Sequence, residues 1–242
     1  MTSRLRAKFL FILFFLTASF VHAQSAGTTH IFPQIADGVS SDGSAFTSRF
    51  VVASIGGFPA TCDISLFGLG PERLSASASV LVQPASWQSI STRGQDALAA
   101  GYARLNCSQP VFVSLTYSMQ SANGLPLGIA TVPGAPVASH ALVPMVLNGR
   151  YRYGIAIAND NDAQLTFILT FTSNGTDTLR NIQVPARSNY VTFVDEIFTV
   201  PAEGSGTVEI LANGSTGADH FNITALLFDQ GAFTNVVPAV VF

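Results

Sequence analysis

Apolar and polar residues alternate with a period of two through nearly all of the chain after residue 23, and helical periodicity is almost absent there. Tyr151, Tyr153, Ile155 and Ile157 fall on one face of such a segment, and the residues between them fall on the other. Residues 163–171 alternate in the same way. This pattern is typical of antiparallel strands that bury one face, so it predicts an all-β fold.

The order of the predicted strands repeats after about 100 residues. The matching segments are 46–54 with 149–158, 60–68 with 163–171, 83–91 with 184–192, 101–107 with 206–212, and 110–118 with 220–228. A repeat of this size with about seven strands fits one β-sandwich. The sequence therefore predicts two tandem Ig-like antiparallel β-sandwich domains, 24–134 and 135–242, joined in the Pro-rich segment 132–140.

Three further segments carry local predictions. Residues 94–100 and 194–200 both precede the Gly that opens a strand, and each predicts one helical turn. Residues 234–242 alternate around Pro238 and predict a last strand.

The N-terminus is typical of a signal peptide spanning residues 1–23. Arg4, Arg6 and Lys8 precede the apolar run Phe9–Phe20, and Val21–Ala23 fits the small-x-small cleavage rule. The run is short for a membrane span, which needs roughly 20 apolar residues. We therefore expect a secreted protein, periplasmic or extracellular.

The predicted mature segment is acidic and poor in charge. All 14 acidic residues lie after residue 23, with only eight of the 11 basic ones, so its net charge is −6. No basic patch is present, which argues against a nucleic-acid partner.

Cys62 and Cys107 are the two cysteines of the chain. In an oxidising compartment we expect them to pair, which stabilises the fold by roughly 4 kcal/mol in the chain-entropy treatment. The repeat aligns Cys62 with Leu165 and Cys107 with Ala212, both at inward positions. This favours a structural disulfide in the first domain, replaced by packing in the second.

Two acidic loops are candidate cation sites. Asn159–Asp162 presents four oxygen-bearing side chains in a row, with Asp160 and Asp162 as the acids, and residues 37–44 contain Asp37 and Asp42. Calcium takes six to eight oxygen ligands, commonly from alternating positions, whereas Asn and Asp are also favoured in tight turns. Both interpretations stay open, with the turn favoured. No Cys or His has metal-ligand spacing, so we predict neither a transition-metal site nor a cofactor.

Trp87 is the aromatic residue best placed for ligand contact. Its neighbours Ser86, Gln88 and Ser89 are polar, which is compatible with an exposed ring that binds a sugar. Packing in the core or between the domains is the alternative interpretation.

Short motifs resemble tandem β-sandwich repeats in uncharacterised secreted proteins of soil bacteria. They are the Phe-Pro-x-x-Ala-Asp-Gly opening, here Phe32–Gly38, the Gly-x-Ala strand at 101–103, and the Phe-Thr-x-x-Pro ending at 233–238. The second copy departs from the pattern, with Gly-Thr-Val at 206–208. The resemblance implies an Ig-like fold and no established activity, so it transfers no catalytic residue.

The chain lacks a Gly-x-Ser-x-Gly motif and phosphate-binding glycine loops, so we predict that it is not an enzyme. The expected function is non-catalytic surface structure or adhesion, with a protein or polysaccharide at the cell surface as partner. One alternative is a carbohydrate-binding module. Another is a self-assembling fibre or coat subunit, because strand 234–242 and sheet edges without lysine leave room for strand addition.

Overall fold

The computed structural model describes residues 26–213, 219–229 and 232–241, so the predicted signal peptide, residues 1–23, lies outside the described residues. The first strands are β1 Gly27–Val39, β2 Ala45–Ser54, β3 Ala60–Phe67, β4 Ser79–Val82, β5 Ser86–Ser91, β6 Ala99–Gln120, β7 Pro126–Pro133 and β8 Val137–Ala138. The later strands are β9 His140–Asn148, β10 Tyr151–Asn159, β11 Leu165–Ser173, β12 Thr176–Val184, β13 Ser188–Phe193, β14 Glu203–Ala212, β15 Phe221–Asp229, β16 Ala232–Val236 and β17 Ala239–Val241. The helical elements are a 3-10 turn, Pro71–Arg73, and α1, Val194–Ile197.

Every pairing between these strands is antiparallel, which confirms the predicted all-β fold of antiparallel sheets. No helix among the described residues has the length and apolar character needed to cross a membrane.

One long strand organises the first half of the molecule, residues 26–133. The start of β6 lies between β3 and β1, and β4 extends that layer beyond β3. The end of β6 lies between β2 and β7, and β5 extends that layer beyond β2. The strand orders are therefore β4-β3-β6-β1 and β5-β2-β6-β7, with β6 shared by both layers.

The second half, residues 137–241, contains two separate sheets. Their strand orders are β12-β11-β14-β9-β17 and β13-β10-β15-β16, and β8 pairs with β15. The strand orders of the two halves correspond. β4, β3, the start of β6 and β1 match β12, β11, β14 and β9, and β5, β2, the end of β6 and β7 match β13, β10, β15 and β16. β17 is an additional edge strand beside β9.

Each half buries its own apolar cluster. The first cluster includes Phe32, Phe50 and Leu115, and the second includes Phe167, Leu169 and Phe221. The side chains come from both sheets of the half, because alternate residues on each strand point toward the facing sheet. Three residues of the second half cross over: Phe233 of β16 is buried in the first cluster, and Leu226 and Phe228 of β15 pack against it.

The predicted disulfide is confirmed. Cys62 of β3 and Cys107 of β6 are directly opposite each other, with Cα atoms 4.0 Å apart, and their side chains are buried. The prediction that Leu165 and Ala212 take the places of the two cysteines in the second half is wrong by two residues in β11. The residue opposite Ala212 is Phe167. A large and a small apolar side chain therefore occupy the matching place.

Three local predictions were wrong or only partly right. Residues 94–100 form no helical turn, whereas α1 confirms the one predicted within 194–200. Segments 101–107 and 110–118 are one continuous strand, β6. Residues 234–241 are divided around Pro238 into the end of β16, which pairs with β15, and β17, which pairs with β9. Proline lacks an N–H donor and ends the first ladder there.

Candidate binding surfaces at the sandwich ends

The acidic segment Asn159–Asp162 follows β10 and begins with a buried amide. The side-chain amide of Asn159 donates to the carbonyl oxygens of Ala163 and Val184, at 2.8 and 3.0 Å. Its oxygen accepts from the backbone N–H of Asn161, at 3.1 Å. Asn159 therefore holds the turn in place, which is the role that Asn often has in tight turns.

The two acids of this segment bind arginines. Asp160 accepts hydrogen bonds from the Tyr102 hydroxyl at 3.0 Å, from Arg104 at 3.0 Å and from Arg187 at 2.9 Å. Arg187 also binds the largely exposed Asp162 at 2.8 Å. The carboxylate of Asp162 is the main cause that raises the pKa of Arg187, and burial followed by the Asp160 charge raises the pKa of Tyr102.

The two acids of the other predicted cation loop have different surroundings and different partners. Asp37 is fully buried, binds Arg73 at 3.1 Å and accepts from the backbone N–H of Gly94 at 2.6 Å. Asp42 is exposed; hydrogen bonds from Ser40, and then Ser44, lower its pKa. Within residues 26–213, 219–229 and 232–241, no group of three or more His, Cys, Asp or Glu residues is arranged to hold a metal ion.

The arginine–aspartate contacts lie at a junction between the two halves. Tyr102 and Arg104 belong to β6, on the outer side of the β4-β3-β6-β1 layer, whereas Asp160 belongs to the loop after β10. Ala158 packs there with Ile31 and Tyr102. The ring of Tyr102 also stacks on Phe67, with centroids 4.4 Å apart.

Two asparagines of the second half complete this junction. Asn189 donates to the carbonyl oxygen of Pro33 at 2.8 Å. Asn222 donates to the carbonyl oxygens of Ala135 and Pro136, in the segment that connects the halves, both at 3.0 Å. Across the sheet, Ala158 lies between Asn189 and Asn222, so these three residues form one row. One end of the second half therefore packs on the outer face of a sheet of the first half.

The corresponding end of the first half has the same backbone design. The loops after β2 and β10 each contain five residues, 55–59 and 160–164. Ala85 and Arg187, the residues before β5 and β13, both have a φ of 51°. The strand ends also pair alike, Ser54 with Ser86 and Asn159 with Ser188.

This correspondence identifies the residues of the first half that occupy the junction positions. Ala53 pairs with Trp87 on one side and with Phe112 on the other, as Ala158 pairs with Asn189 and Asn222. Ile55 occupies the place of Asp160. Apolar side chains thus replace two polar residues that contact the first half and one, Asn222, that binds the connecting segment.

Three large apolar side chains at this end are exposed, and Phe112 is half-buried. Trp87 is 65% exposed, Ile55 74% and Phe58 72%. We call Ile55, Phe58, Trp87 and Phe112 the end patch. It contains no charged residue, and large apolar residues gathered at an exposed loop end are characteristic of contact surfaces.

Sequence reasoning singled out Trp87 but missed Ile55, Phe58 and Phe112. The repeat aligned the Ile55–Pro59 loop with the acidic loop, so the signal was present. The sequence does not show that the acidic loop lies at a junction, because its partners Tyr102 and Arg104 are more than 50 residues away along the chain.

A groove of about 580 Å³ lies in the second half, away from the end patch. Tyr153, Asn174 and Met145 are among its lining residues. The Tyr153 hydroxyl is engaged with the backbone of Val146. The described residues that line the groove include no carboxylate, imidazole, thiol or basic side chain.

Comparisons with known proteins give no family for this chain. No family model and no curated protein matches it. Among solved structures, it has a TM-score of 0.24 and 7% identity to oxalate decarboxylase from Bacillus subtilis, over 88% of this chain and 71% of that one. It has a TM-score of 0.18 and 11% identity to an anti-sigma factor domain-containing protein, over 84% of this chain and 81% of that one. Similarity this weak carries no argument about fold or function.

Proposed function

We propose that this chain is a secreted, non-catalytic binding protein of the adhesion type, built as a tandem repeat of two Ig-like β-sandwiches. The single observation that carries the proposal is the exposed end patch. Its residues Ile55, Trp87 and Phe112 match Asp160, Asn189 and Asn222 of the internal junction, with large apolar side chains instead of polar ones. Phe58 lies in the same loop as Ile55.

Secretion is supported by two independent features. The first 23 residues have the basic, apolar and small-residue pattern of a signal peptide. The Cys62–Cys107 disulfide is of the kind that persists in an oxidising compartment. The tandem repeat is supported by the matching strand orders of the two halves.

The chain contains a built-in reporter for this function. Trp87 is the single tryptophan of the sequence, so all tryptophan fluorescence comes from the end patch. A partner that covers the ring excludes water from it and is expected to shift its emission to shorter wavelength.

The test uses the mature protein, residues 24–242, with isolated bacterial cell envelopes as the probe. We expect co-sedimentation with the envelopes and a blue shift of the Trp87 emission. The double variant Phe58→Ser/Ile55→Ser should bind at least about tenfold more weakly, as expected when buried apolar anchors of an interface are removed. It leaves Trp87 in place as reporter.

Leu125→Ser is the matched control for this test. Leu125 is 64% exposed in the turn between β6 and β7, at the opposite end of the same sheet. Binding by the control should equal that of the unaltered chain. Equal binding by the double variant, or envelope binding that leaves the Trp87 emission unchanged, would contradict the proposal.

A carbohydrate-binding module is the second candidate, favoured by the exposed ring of Trp87 on the same row as Phe112. Soluble oligosaccharides from the envelope should then displace the protein and quench Trp87 by themselves. Trp87→Ala should abolish this binding.

A further inference from the structure

We propose that the end patch binds a second copy of this chain, on the outer face of the β12-β11-β14-β9-β17 sheet, so that copies associate head to tail. This inference rests on the proposed function and names the partner of the same surface. The internal junction supplies the geometry, because it already shows one sandwich end packed on the outer face of the matching sheet.

The receiving face of the first half can be mapped onto the second half through strand register. Ile31 is opposite Arg104 in the first half, and Leu142 is opposite Glu209 in the second. Cys107 is opposite Cys62, and Ala212 is opposite Phe167, which fixes the same register. The face that the junction covers in the first half thus has a counterpart around Leu142 and Glu209.

This counterpart carries apolar residues, of which Leu142 and Ile168 are half-buried and others are exposed. Ile168, Leu211, His140 and Val241 form one row across the sheet. Leu211 is 43% exposed and Val241 57% exposed. We call Leu142, Ile168, Leu211 and Val241 the receiving face.

Both the end and the face differ in chemistry between the internal junction and the free surfaces. At the internal junction, the end supplies Asp160 and the face supplies Arg104, which form an ion pair at 3.0 Å. At the free surfaces, the end supplies Ile55 instead of Asp160. The face supplies Glu209 instead of Arg104, and this acid is already paired with His140 at 2.8 Å. An apolar end therefore meets a face whose central acid already contacts a side chain of its own chain.

Strand addition through the C-terminal segment is a different mode, and the structure uses that segment internally. β16 pairs with β15 and β17 pairs with β9 within the same chain. The proposed contact needs no strand to be released. It uses two different surfaces of each copy, so it does not close a two-fold dimer and continues into open chains or closed rings of copies.

The test is sedimentation velocity of the mature chain at increasing concentration, with Trp87 emission recorded on the same samples. We expect the average mass to rise beyond that of a dimer, together with a blue shift. The end variant Phe58→Ser/Ile55→Ser and the face variant Leu211→Ser/Val241→Ser should each stay monomeric. Leu125→Ser should associate like the unaltered chain.

Mixing the two variants gives the decisive result. The end variant still offers an intact receiving face, and the face variant still offers an intact end patch. An equal mixture should form a dimer and nothing larger, with the blue shift restored for the copy whose end patch is covered. A mixture that stays monomeric, or variants that associate alone, would overturn the proposal.

The outcomes separate this inference from the proposed function. A chain that stays monomeric at every concentration but binds envelopes through the end patch overturns self-association and leaves the adhesion proposal standing. A chain that neither associates nor binds envelopes overturns both. Thermal unfolding of each variant establishes that it is folded before its mass is interpreted.

Discussion

In the first half, Cys62 and Cys107 lie opposite each other across β3 and β6, whereas in the second half the facing pair is Phe167 and Ala212. The surrounding strand order is the same in both halves. One place between two strands is thus filled by a covalent bond in one case and by a large and a small side chain in the other.

A second difference lies next to this pair. In the first half, β6 continues from one layer to the other without interruption, whereas in the second half β14 ends at Ala212 and β15 begins at Phe221. The first half connects its layers through the backbone of β6, and its disulfide links the neighbouring strands β3 and β6 within one layer. The second half depends on side-chain packing, with Phe167 and Phe221 in edge-to-face contact at 5.2 Å. The comparison teaches that one strand order tolerates either means of stabilisation.

The largest expected effect comes from removing the aromatic ring of the second half. Phe167→Ala should lower the free energy of unfolding by about 3–5 kcal/mol, because a fully buried ring leaves a cavity that its surroundings fill only partly. Urea denaturation measures the loss. The neighbouring Thr166→Ala, on the outer face, should change stability by less than about 0.5 kcal/mol. A loss for Phe167→Ala as small as this control would show that packing does not replace the disulfide.

The next effect comes from removing the disulfide. Cys62→Ala/Cys107→Ala should lower the free energy of unfolding by about 2–4 kcal/mol, since the unfolded chain loses a cross-link over a separation of 45 residues. Urea denaturation under non-reducing conditions tests this, and reduction of the unaltered chain should give a similar loss. Hydrogen exchange should show the destabilisation in β3 and β6 rather than in β11 and β14. Equal stability of the variant would mean that the staple is dispensable.

The smallest of these effects concerns the junction of the halves. Asp160→Asn keeps the shape but removes the charge that binds Arg104 and Arg187, and should cost about 1–3 kcal/mol, as for other hydrogen bonds to charged groups. Asp162→Asn is the matched control; its side chain is 89% exposed, so its pair with Arg187 should contribute less than about 1 kcal/mol. Calorimetric unfolding compares the two. Equal losses would show that Asp160 behaves as an ordinary surface acid.

The sequence predicted the strands well where alternation is regular. The predicted segments 46–54 and 60–68 coincide closely with β2 and β3, because buried and exposed side chains alternate along each of them. The repeat also gave the correct inward positions of Cys62 and Cys107. Alternation along a strand involves residues that are close together in the sequence, so it can be recognised without knowing the fold.

Long-range contacts limited the rest of the prediction. The segment 94–100 has helix-compatible alanines, but Asp37 holds its start through the N–H of Gly94, and Arg73 binds the carbonyl oxygen of Ala97. No local pattern reveals these partners. In the same way, the acidic loop gave no sign of which arginines neutralise it, since Arg104 comes from the other half of the molecule.

The position of Phe233 affects the order in which the parts of the molecule can fold. This ring belongs to β16, near the C-terminus, yet it packs in the cluster of the first half, which Phe228 also contacts. A polypeptide that leaves the ribosome or an export channel from its N-terminus makes the other members of that cluster about 100 residues earlier. The first core therefore keeps an unfilled place until β16 has emerged, well after the rest of that core.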